Sequence, residues 1–309
     1  MLFNKDMNGS RELYELSGTF QASTDFHGIE SEIDSATAEV AAIVGDAVIA
    51  AADEAYNAPI PTEKQTALSL AVRKPIAYLA IAMHARLNGL SHGETGRKLK
   101  VDDNEKIPFE WMIDRDDREM RERYYRAIDA LIRFLEGSSE TAWQAAAAKQ
   151  RTAGCIVKNL ADLEDVYPIE HSYYTFYKLV PILLEVQNGR LCQVLGTETV
   201  AALIAGGTQV AGVRALAIRF LVLHAMVQAV QRWSVDVFPL AVARRFAPSY
   251  QGNKENRAAT MEEIDWYLSK LSLQAKAAEL ELRDAAAGNP WKDASLLPEN
   301  RRDKKYFTV

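Results

Sequence analysis

Apolar residues recur every three or four positions along most of this chain, which places them on one face of an α-helix. The first clear run consists of Ile29, Ile33, Ala36, Val40, Ile43 and Val44. Asp25 stands in the position of an N-cap, before a helix that we predict to begin near His27. Gly45 ends that helix, and Asp46 is suited to cap a second helix that continues through Ala55.

An Ala-rich run from Gln65 to Leu87 predicts a longer helix. Thr62 and Gln65 have the spacing of a capping box at its start. Pro75 lies inside the run, so we expect a kink or a break there. Residues 88–110 are rich in Gly, Lys and Asp, and they predict a surface loop with a short hairpin.

A charged amphipathic run, Asp116 to Leu135, predicts the last helix of the first half. Asp114, Asp116 and Asp117 crowd its expected start, where carboxylates interact favourably with the helix dipole. Runs of β-branched residues are short, and alanine fills the helical segments. The sequence therefore predicts an all-α protein.

The second half of the chain repeats the plan of the first. Residues 26–56 are similar in pattern to residues 176–206. With Gly45 placed on Gly196, Ile33 meets Leu184, Ile43 meets Val194, and Phe26 meets Phe176 within one residue. An Ala-rich run and then a charged run follow in both halves. We predict two similar helical-bundle modules in tandem, with an extended C-terminal tail. The predicted boundaries are 1–137 for the first module, 138–160 for a linker, 161–287 for the second module and 288–309 for the tail.

Composition and charge exclude some classes of function. Among the 309 residues, 48% are apolar, which is enough for two cores, and the net charge is −6. A general nucleic-acid binder would show a basic face, whereas acidic walls let DNA pass without holding it. The longest apolar stretch, Ala215 to Val230, is short and interrupted, and no signal peptide is visible, so we expect no membrane span. Two cysteines without CxxC spacing indicate buried thiols in a reducing compartment.

No constellation of residues predicts catalysis. The five histidines lack HExxH or ExxH spacing, and His84 and His224 are expected to be core or interface histidines rather than a metal pair. The stretch 113–120 is superficially similar to the Mg²⁺-binding motifs of isoprenoid enzymes, but the neighbouring helices offer no second set of carboxylates. Neither a nucleotide-binding loop nor a nucleophile motif occurs. We therefore predict no catalytic residue, no cofactor and no metal; a helical metal-dependent enzyme is the less favoured alternative.

Two sets of residues are candidates for partner contacts. The first set lies in the tail: Arg301, Arg302, Lys304, Lys305, Tyr306 and Phe307. These residues could contact phosphate and stack on bases, could add a strand to a neighbouring sheet, or could remain solvated. We select them as candidates for partner docking. The second set is predicted to form inter-subunit contacts: Tyr173, Tyr174, Tyr177, Arg244 and Arg245.

The repeated unit resembles a known family. In each half a helix ends at a glycine (Val44-Gly45 and Leu195-Gly196), and a short helix, a loop and an Ala-rich helix follow. This pattern is similar to the helical head-to-tail connector, or adaptor, proteins of tailed bacteriophages. It covers residues 26–136 and, more weakly, 176–284. The opening MLFNKDMNGSRELYELSG is similar to uncharacterised phage and prophage proteins of Bacteroidetes.

The resemblance implies a homo-oligomeric ring in the virion neck, assembled in the host cytoplasm. Its partners are then the portal protein and tail or neck proteins, with passive contact to passing DNA. Family members have one module, so the duplication departs from the pattern. The family has no catalytic residue to transfer. The alternative from a different class is a cytoplasmic helical module that binds a peptide or protein.

Overall fold

The computed structural model describes residues 2–88, 90–93, 96–99, 109–232 and 260–287. Helices make up nearly all of the regular structure in these ranges, which confirms the all-α prediction. Within them the only strands form the hairpin β1 (Leu90–Gly93) and β2 (Gly96–Leu99), antiparallel with Leu90 opposite Leu99. The hairpin lies in the stretch where the sequence predicted one.

The chain folds into two compact units. The first contains the residues up to Gly154 together with Ile169–Val180. The second contains Cys155–Pro168, Pro181–Arg232 and the last described helix. The chain therefore enters the second unit, returns to the first and leaves it again within one helix. The predicted module boundaries at 137 and 160 stay a prediction.

The first unit is a bundle around one long helix. Its helices are α1 (Gly9–Ser17), α2 (Glu30–Val44), α3 (Asp46–Asn57), α4 (Glu63–Asn88), α5 (Glu110–Ser138), α6 (Thr141–Gln144), α7 (Ala147–Ala153) and the part of α9 (Tyr173–Val186) up to Val180. Helix α4 packs against α1, α2, α3 and α5. The predicted stripe of α2 is buried at Ile33, Ala36, Val40 and Val44, so it forms part of the core.

Helix α4 runs unbroken through Pro75, so the predicted break does not occur. Proline removes one backbone hydrogen bond and costs about 3 kcal/mol in a helix interior. The neighbouring residues Val72, Ile76 and Ala80 are fully buried, and their packing offsets that cost. The predicted capping box is present, because Gln65 N donates to Thr62 Oγ1 (3.3 Å) and Thr62 N donates to Gln65 Oε1 (2.9 Å).

Helix α5 begins earlier than predicted. Its first residue is Glu110, and Phe109 precedes it without a side-chain cap. The expected start at Asp114, Asp116 and Asp117 was therefore wrong, since these carboxylates lie beyond the first turn. Acidic residues are favoured near a helix start but are not required to mark it.

The second unit is built on two long helices. Its elements are α8 (Leu160–Glu164), the rest of α9, a π-helical turn (Gln187–Leu191), α10 (Cys192–Leu195), α11 (Thr197–Ala205), α12 (Ala211–Arg232) and α13 (Met261–Ala286). Helices α12 and α13 pack along each other. The buried side of α13 consists of Leu271, Ala275, Ala278 and Leu282, with the three- and four-residue steps of a core face.

Two glycines with the same backbone conformation each join two consecutive helices, and we call these junctions corners. Gly45 joins α2 to α3 with φ 96° and ψ 146°, and Gly196 joins α10 to α11 with φ 82° and ψ 153°. In each corner the glycine N–H donates to the carbonyl four residues earlier, at 2.7 Å for Gly45 and 2.9 Å for Gly196. Side chains are strongly disfavoured in this region of backbone space.

We expect Gly196→Ala to lower the free energy of unfolding by about 1–3 kcal/mol, because a Cβ strains the backbone at this φ. No neighbouring atom lies within 4 Å of that Cβ, so the loss reports conformation rather than a clash. The measurement is urea unfolding followed by circular dichroism. Gly137→Ala, in helix α5, is the matched control and should stabilise by about 0.5–1 kcal/mol. Equal effects of the two substitutions on stability would contradict the positive φ of Gly196.

Candidate functional site

In the first unit, Glu136 gathers three donors from three segments. Lys149 Nζ donates to Glu136 Oε2 at 2.7 Å, Trp143 Nε1 donates to Oε1 at 2.9 Å, and the Tyr177 hydroxyl donates to the same oxygen. Burial alone would raise the pKa of Glu136, but these donors outweigh burial and lower it below its ordinary value. The carboxylate is held in its charged form, so it ties helices together rather than exchanging protons.

A second carboxylate, Asp129, caps helix α9. Its Oδ1 accepts from Tyr174 N (2.8 Å) and Ser172 Oγ (3.1 Å), which satisfies a backbone donor of the first turn. Burial raises the pKa of Asp129, and the two hydrogen bonds oppose that shift. Together, Asp129 and Glu136 fix the N-terminal half of α9 on helix α5.

The three tyrosines predicted to form inter-subunit contacts make contacts within the first unit. The Tyr174 ring lies 5.4 Å from the Tyr125 ring, and the Tyr177 ring meets Trp143 edge-on at 5.2 Å. The Tyr173 ring lies 5.9 Å from the Arg133 guanidinium carbon. All three tyrosines are half-buried. Their inter-subunit role stays a prediction.

The polar centre of the second unit is Glu279, on α13. Glu279 Oε2 lies 2.9 Å from Arg190 Nη2, on the π-helical turn, and Glu279 Oε1 accepts from Arg283 at 2.7 Å. Burial would raise the pKa of Glu279, but Arg283 and Arg190 lower it. The π-helical turn inserts one residue into the helix and brings Arg190 to this carboxylate. Gln228 Oε1, on α12, is buried and has no hydrogen-bond partner in the part of the chain that the structure describes.

His84 and His224 lie in different units and are near different carboxylates. His224 Nε2 lies 3.4 Å from Glu279 Oε2, too poorly aligned for a hydrogen bond, whereas His84 Nδ1 lies 4.0 Å from Glu32 Oε1 in the first unit. Burial, assisted by Arg190, lowers the pKa of His224 to about 4, against the opposing charge of Glu279. Among the described residues no group of three or more His, Cys, Asp or Glu side chains could hold a metal ion.

We expect stability to fall on acidification because of His224. Between pH 6.5 and 4 the unfolded chain binds a proton that native His224 does not, so unfolding is favoured as pH falls through this window. From pH 7.5 to 5 the loss is about 2 kcal/mol. The measurement is urea unfolding at both values for the wild type and for His224→Leu, which should lose this part of the pH dependence.

His27 is the internal control for that experiment. Its exposed ring pairs with Glu30, which raises the pKa of His27, so its contribution has the opposite sign. His27→Gln should therefore retain or increase the loss of stability at pH 5. An unchanged pH profile in His224→Leu would contradict a buried neutral histidine.

Cys155 is fully buried, and burial raises its pKa to about 11. Its thiol is therefore protonated at neutral pH and is a poor nucleophile. Cys192 is half-buried, and both cysteines are free. The prediction of two buried thiols is confirmed for Cys155 and wrong for Cys192.

Large apolar side chains are uncovered at the start of α5. We call Phe109, Trp111, Met112 and Ile113 the α5 arm; their exposed fractions run from 42% to 68%. The following residues are also exposed until Asp117, which lies 3.0 Å from Arg86. Among the described residues, nothing packs over this end of α5 to account for its apolar character.

A second uncovered surface lies along α13. We call Trp266, Leu273 and Leu280 the α13 stripe; each is more than 60% exposed. They are spaced by seven residues, so they form one line on the helix, away from the side that packs on α12. Exposed leucines scattered singly need no explanation, whereas a line of three large side chains is a candidate contact surface.

Neither surface was predicted from the sequence. The predicted loop ended at residue 110 and the expected helix start lay at 114–117, so residues 111–113 fell between the two. The seven-residue spacing of the α13 stripe was not distinguished from the core face of α13. The spacing is visible in the sequence and could have been found. The other predicted contact residues lie outside the described part of the chain: Arg244, Arg245, Arg301, Arg302, Lys304, Lys305, Tyr306 and Phe307.

Two helices are long and apolar enough to cross a bilayer, judged by length and composition alone: Glu63–Arg86 and Ala211–Arg232. The second extends the run Ala215–Val230, so the argument that this helix is too short was wrong. Their apolar windows are 44% and 50% buried within the protein. The absence of a membrane span stays a prediction.

No family model, curated protein or solved structure matches this chain. The similarity to head-to-tail connectors stays a prediction from the sequence.

Proposed function

We propose that this chain is a structural subunit of a homo-oligomeric ring and not an enzyme. The observation that carries the proposal is that each unit has an apolar surface which the described residues leave uncovered: the α5 arm in one unit and the α13 stripe in the other. A ring subunit needs two different surfaces, one for each neighbour. The half-buried carboxylates Asp129, Glu136 and Glu279 hold helices together.

We propose further that the ring joins the portal to the tail of a tailed bacteriophage, in the virion neck. The helix–glycine–helix pattern that resembles the connector family supports this assignment. The net charge of −6 supports it as well, because an acidic lumen repels DNA phosphates and lets DNA pass. Assembly takes place in the host cytoplasm.

The proposed duplication has support from local geometry. The corners at Gly45 and Gly196 share one backbone conformation and one hydrogen-bond pattern. In each half a short helix, a long apolar helix and an amphipathic helix follow the corner, and the last two pack together: α4 with α5, and α12 with α13. Two copies of one ancestral module account for this order.

Light scattering of the purified chain, followed by electron microscopy, tests the proposal. We expect a closed ring with a central hole, formed by the chain alone or on addition of the portal protein encoded by the same phage or prophage. Monomers under both conditions would contradict it.

The binding-module alternative gives a different result. A monomer that binds a helical peptide or protein saturably, and never forms a ring, would favour that function. The α13 stripe is the feature that favours it, because a line of apolar side chains along one helix is a common docking site for another helix.

A further inference from the structure

We infer that neighbouring copies of this chain exchange their N-terminal segments. The exchanged segment is Leu2–Asn8, which we call the strap. The seat is the place on the first unit where the strap lies, and it is formed by Gly9, Glu12, Tyr56, Ala58 and Arg73. The inference rests on the proposed self-assembly and adds a contact through which one copy holds the next.

The first residues of the strap are anchored as core residues are. Leu2 is 4% exposed and Phe3 is 2% exposed. The Phe3 ring lies 5.0 Å from the guanidinium carbon of Arg73, on α4, and the same guanidinium pairs with Glu12, on α1. A buried aromatic ring on a fixed cation is a specific contact, so the seat has a fitted place for one aromatic side chain.

Lys5 is held through both its backbone and its side chain. Lys5 N donates to the Tyr56 hydroxyl at 2.7 Å. Lys5 Nζ donates to the carbonyl oxygens of Tyr56 (3.1 Å) and Ala58 (3.3 Å), at the C-terminal end of α3, where a cation is favoured. Burial raises the pKa of Tyr56 to about 12, so its hydroxyl stays protonated and also donates to Glu12 at 2.9 Å.

Asn4 completes the set of contacts. Its Oδ1 accepts from Gly9 N at 3.0 Å, which satisfies a backbone donor at the start of α1. The seat therefore contacts all four residues from Leu2 to Lys5. A second copy carries the same four residues, so its strap can make every one of these contacts, and the structure itself defines the occupant of the seat.

The strap joins α1 through a strained turn, Asp6–Asn8, which we call the hinge. Asp6 and Met7 both have φ 59°. Aspartate adopts this left-handed conformation more readily than most residues, whereas methionine does so at a cost. The Met7 side chain is 90% exposed, so no packing offsets that cost. Strain in a short hinge favours exchange, because an exchanged strap keeps the contacts of the seat while the hinge extends.

The length of the hinge limits how two copies can meet. Its three residues reach roughly 10 Å when extended, so exchange brings the start of α1 in one copy close to the seat of the next. Each copy has one strap and one seat. Straps passed in one direction link copies in series, as a ring requires, whereas two straps passed reciprocally close a pair.

Substitutions at Met7 test the exchange without touching the seat. Met7→Gly removes the strain of the closed hinge and should weaken assembly about tenfold, measured by light scattering over a dilution series. Met7→Pro fixes φ near −65°, which the closed hinge excludes, and should strengthen assembly about tenfold or more. Met7→Ala is the matched control, because it keeps the Cβ and therefore the strain, and it should assemble as the wild type does.

A cross-link between different copies detects the exchanged strap directly. One copy carries Lys5→Cys and the other carries Ala58→Cys, both with Cys192→Ser because Cys192 is free and only half-buried. Lys5 and Ala58 meet in the seat, so a short bismaleimide should join the two copies into a mixed pair. Met7→Gly in the Lys5→Cys copy should lower the yield of that pair. With both cysteines in one chain, Met7→Gly should raise the yield of the cross-link within the chain.

The possible results separate the exchange from the ring. Rings that form without a mixed pair, and equally in all three Met7 variants, would overturn the exchange and leave the proposed ring function intact. A mixed pair whose yield does not respond to Met7→Gly would also overturn it. Mixed pairs found only in closed dimers would uphold the exchange and contradict the ring. Monomers of every variant, Met7→Pro included, with cross-links only within one chain would contradict both.

Discussion

Trp143→Ala is expected to lower the free energy of unfolding by about 3–5 kcal/mol. Trp143 is fully buried in the core of the first unit, and its indole N–H donates to Glu136 at 2.9 Å. Its ring also packs edge-on against Tyr177. Truncation therefore leaves a cavity and removes one of the three donors that hold the carboxylate.

The measurement for Trp143 is urea unfolding followed by circular dichroism at 222 nm. Circular dichroism is preferable to fluorescence because the substitution itself removes a tryptophan. Trp111→Ala is the control, since Trp111 is more than half exposed and its loss should change stability by less than about 0.5 kcal/mol. Comparable losses in the two variants would contradict the assignment of Trp143 to the core.

Leu282→Ala is expected to lower the free energy of unfolding of the second unit by about 2–5 kcal/mol. Leu282 is fully buried on the side of α13 that forms the core, whereas Leu280, two residues earlier, belongs to the α13 stripe. The two residues differ by 200° around the helix, so they report opposite faces of one element.

Leu280→Ala is the control and should change stability by less than about 0.5 kcal/mol. The unfolding of both variants should be measured at low protein concentration. Association at higher concentration would add an apparent stabilisation that depends on the α13 stripe. If Leu280→Ala costs as much as Leu282→Ala at high dilution, then the stripe is covered within the chain and is not a surface for partners.

The elements with one buried face could be predicted from the sequence. The stripe Ile33, Ala36, Val40 and Val44 identified α2 and its buried side, because a period near 3.6 has one physical meaning in a helix. Capping boxes can also be predicted from local sequence, because their hydrogen bonds join residues three positions apart. The two boxes are Thr62 with Gln65 in α4 and Thr260 with Glu263 in α13.

Other features depend on contacts that local sequence does not encode. The π-helical turn at 187–191 changes the path of its helix by one residue, and no residue type specifies such an insertion. The early start of α5 was missed because its first residues, Phe109 and Trp111 to Ile113, are apolar and carry no cap signal. Which face of α13 is buried is decided by how it packs on α12, so the core face and the exposed stripe look alike in sequence.

The path of the chain through the two units limits how it can be divided. Residues 169–180 complete the first unit although 155–168 precede them in the second. A fragment that ends at Gly154 would lack Tyr177 for Glu136 and Ser172 for Asp129. Exchange of one unit between related genes therefore requires more than one crossover, and a single cut near the midpoint yields two incomplete halves rather than two interchangeable modules.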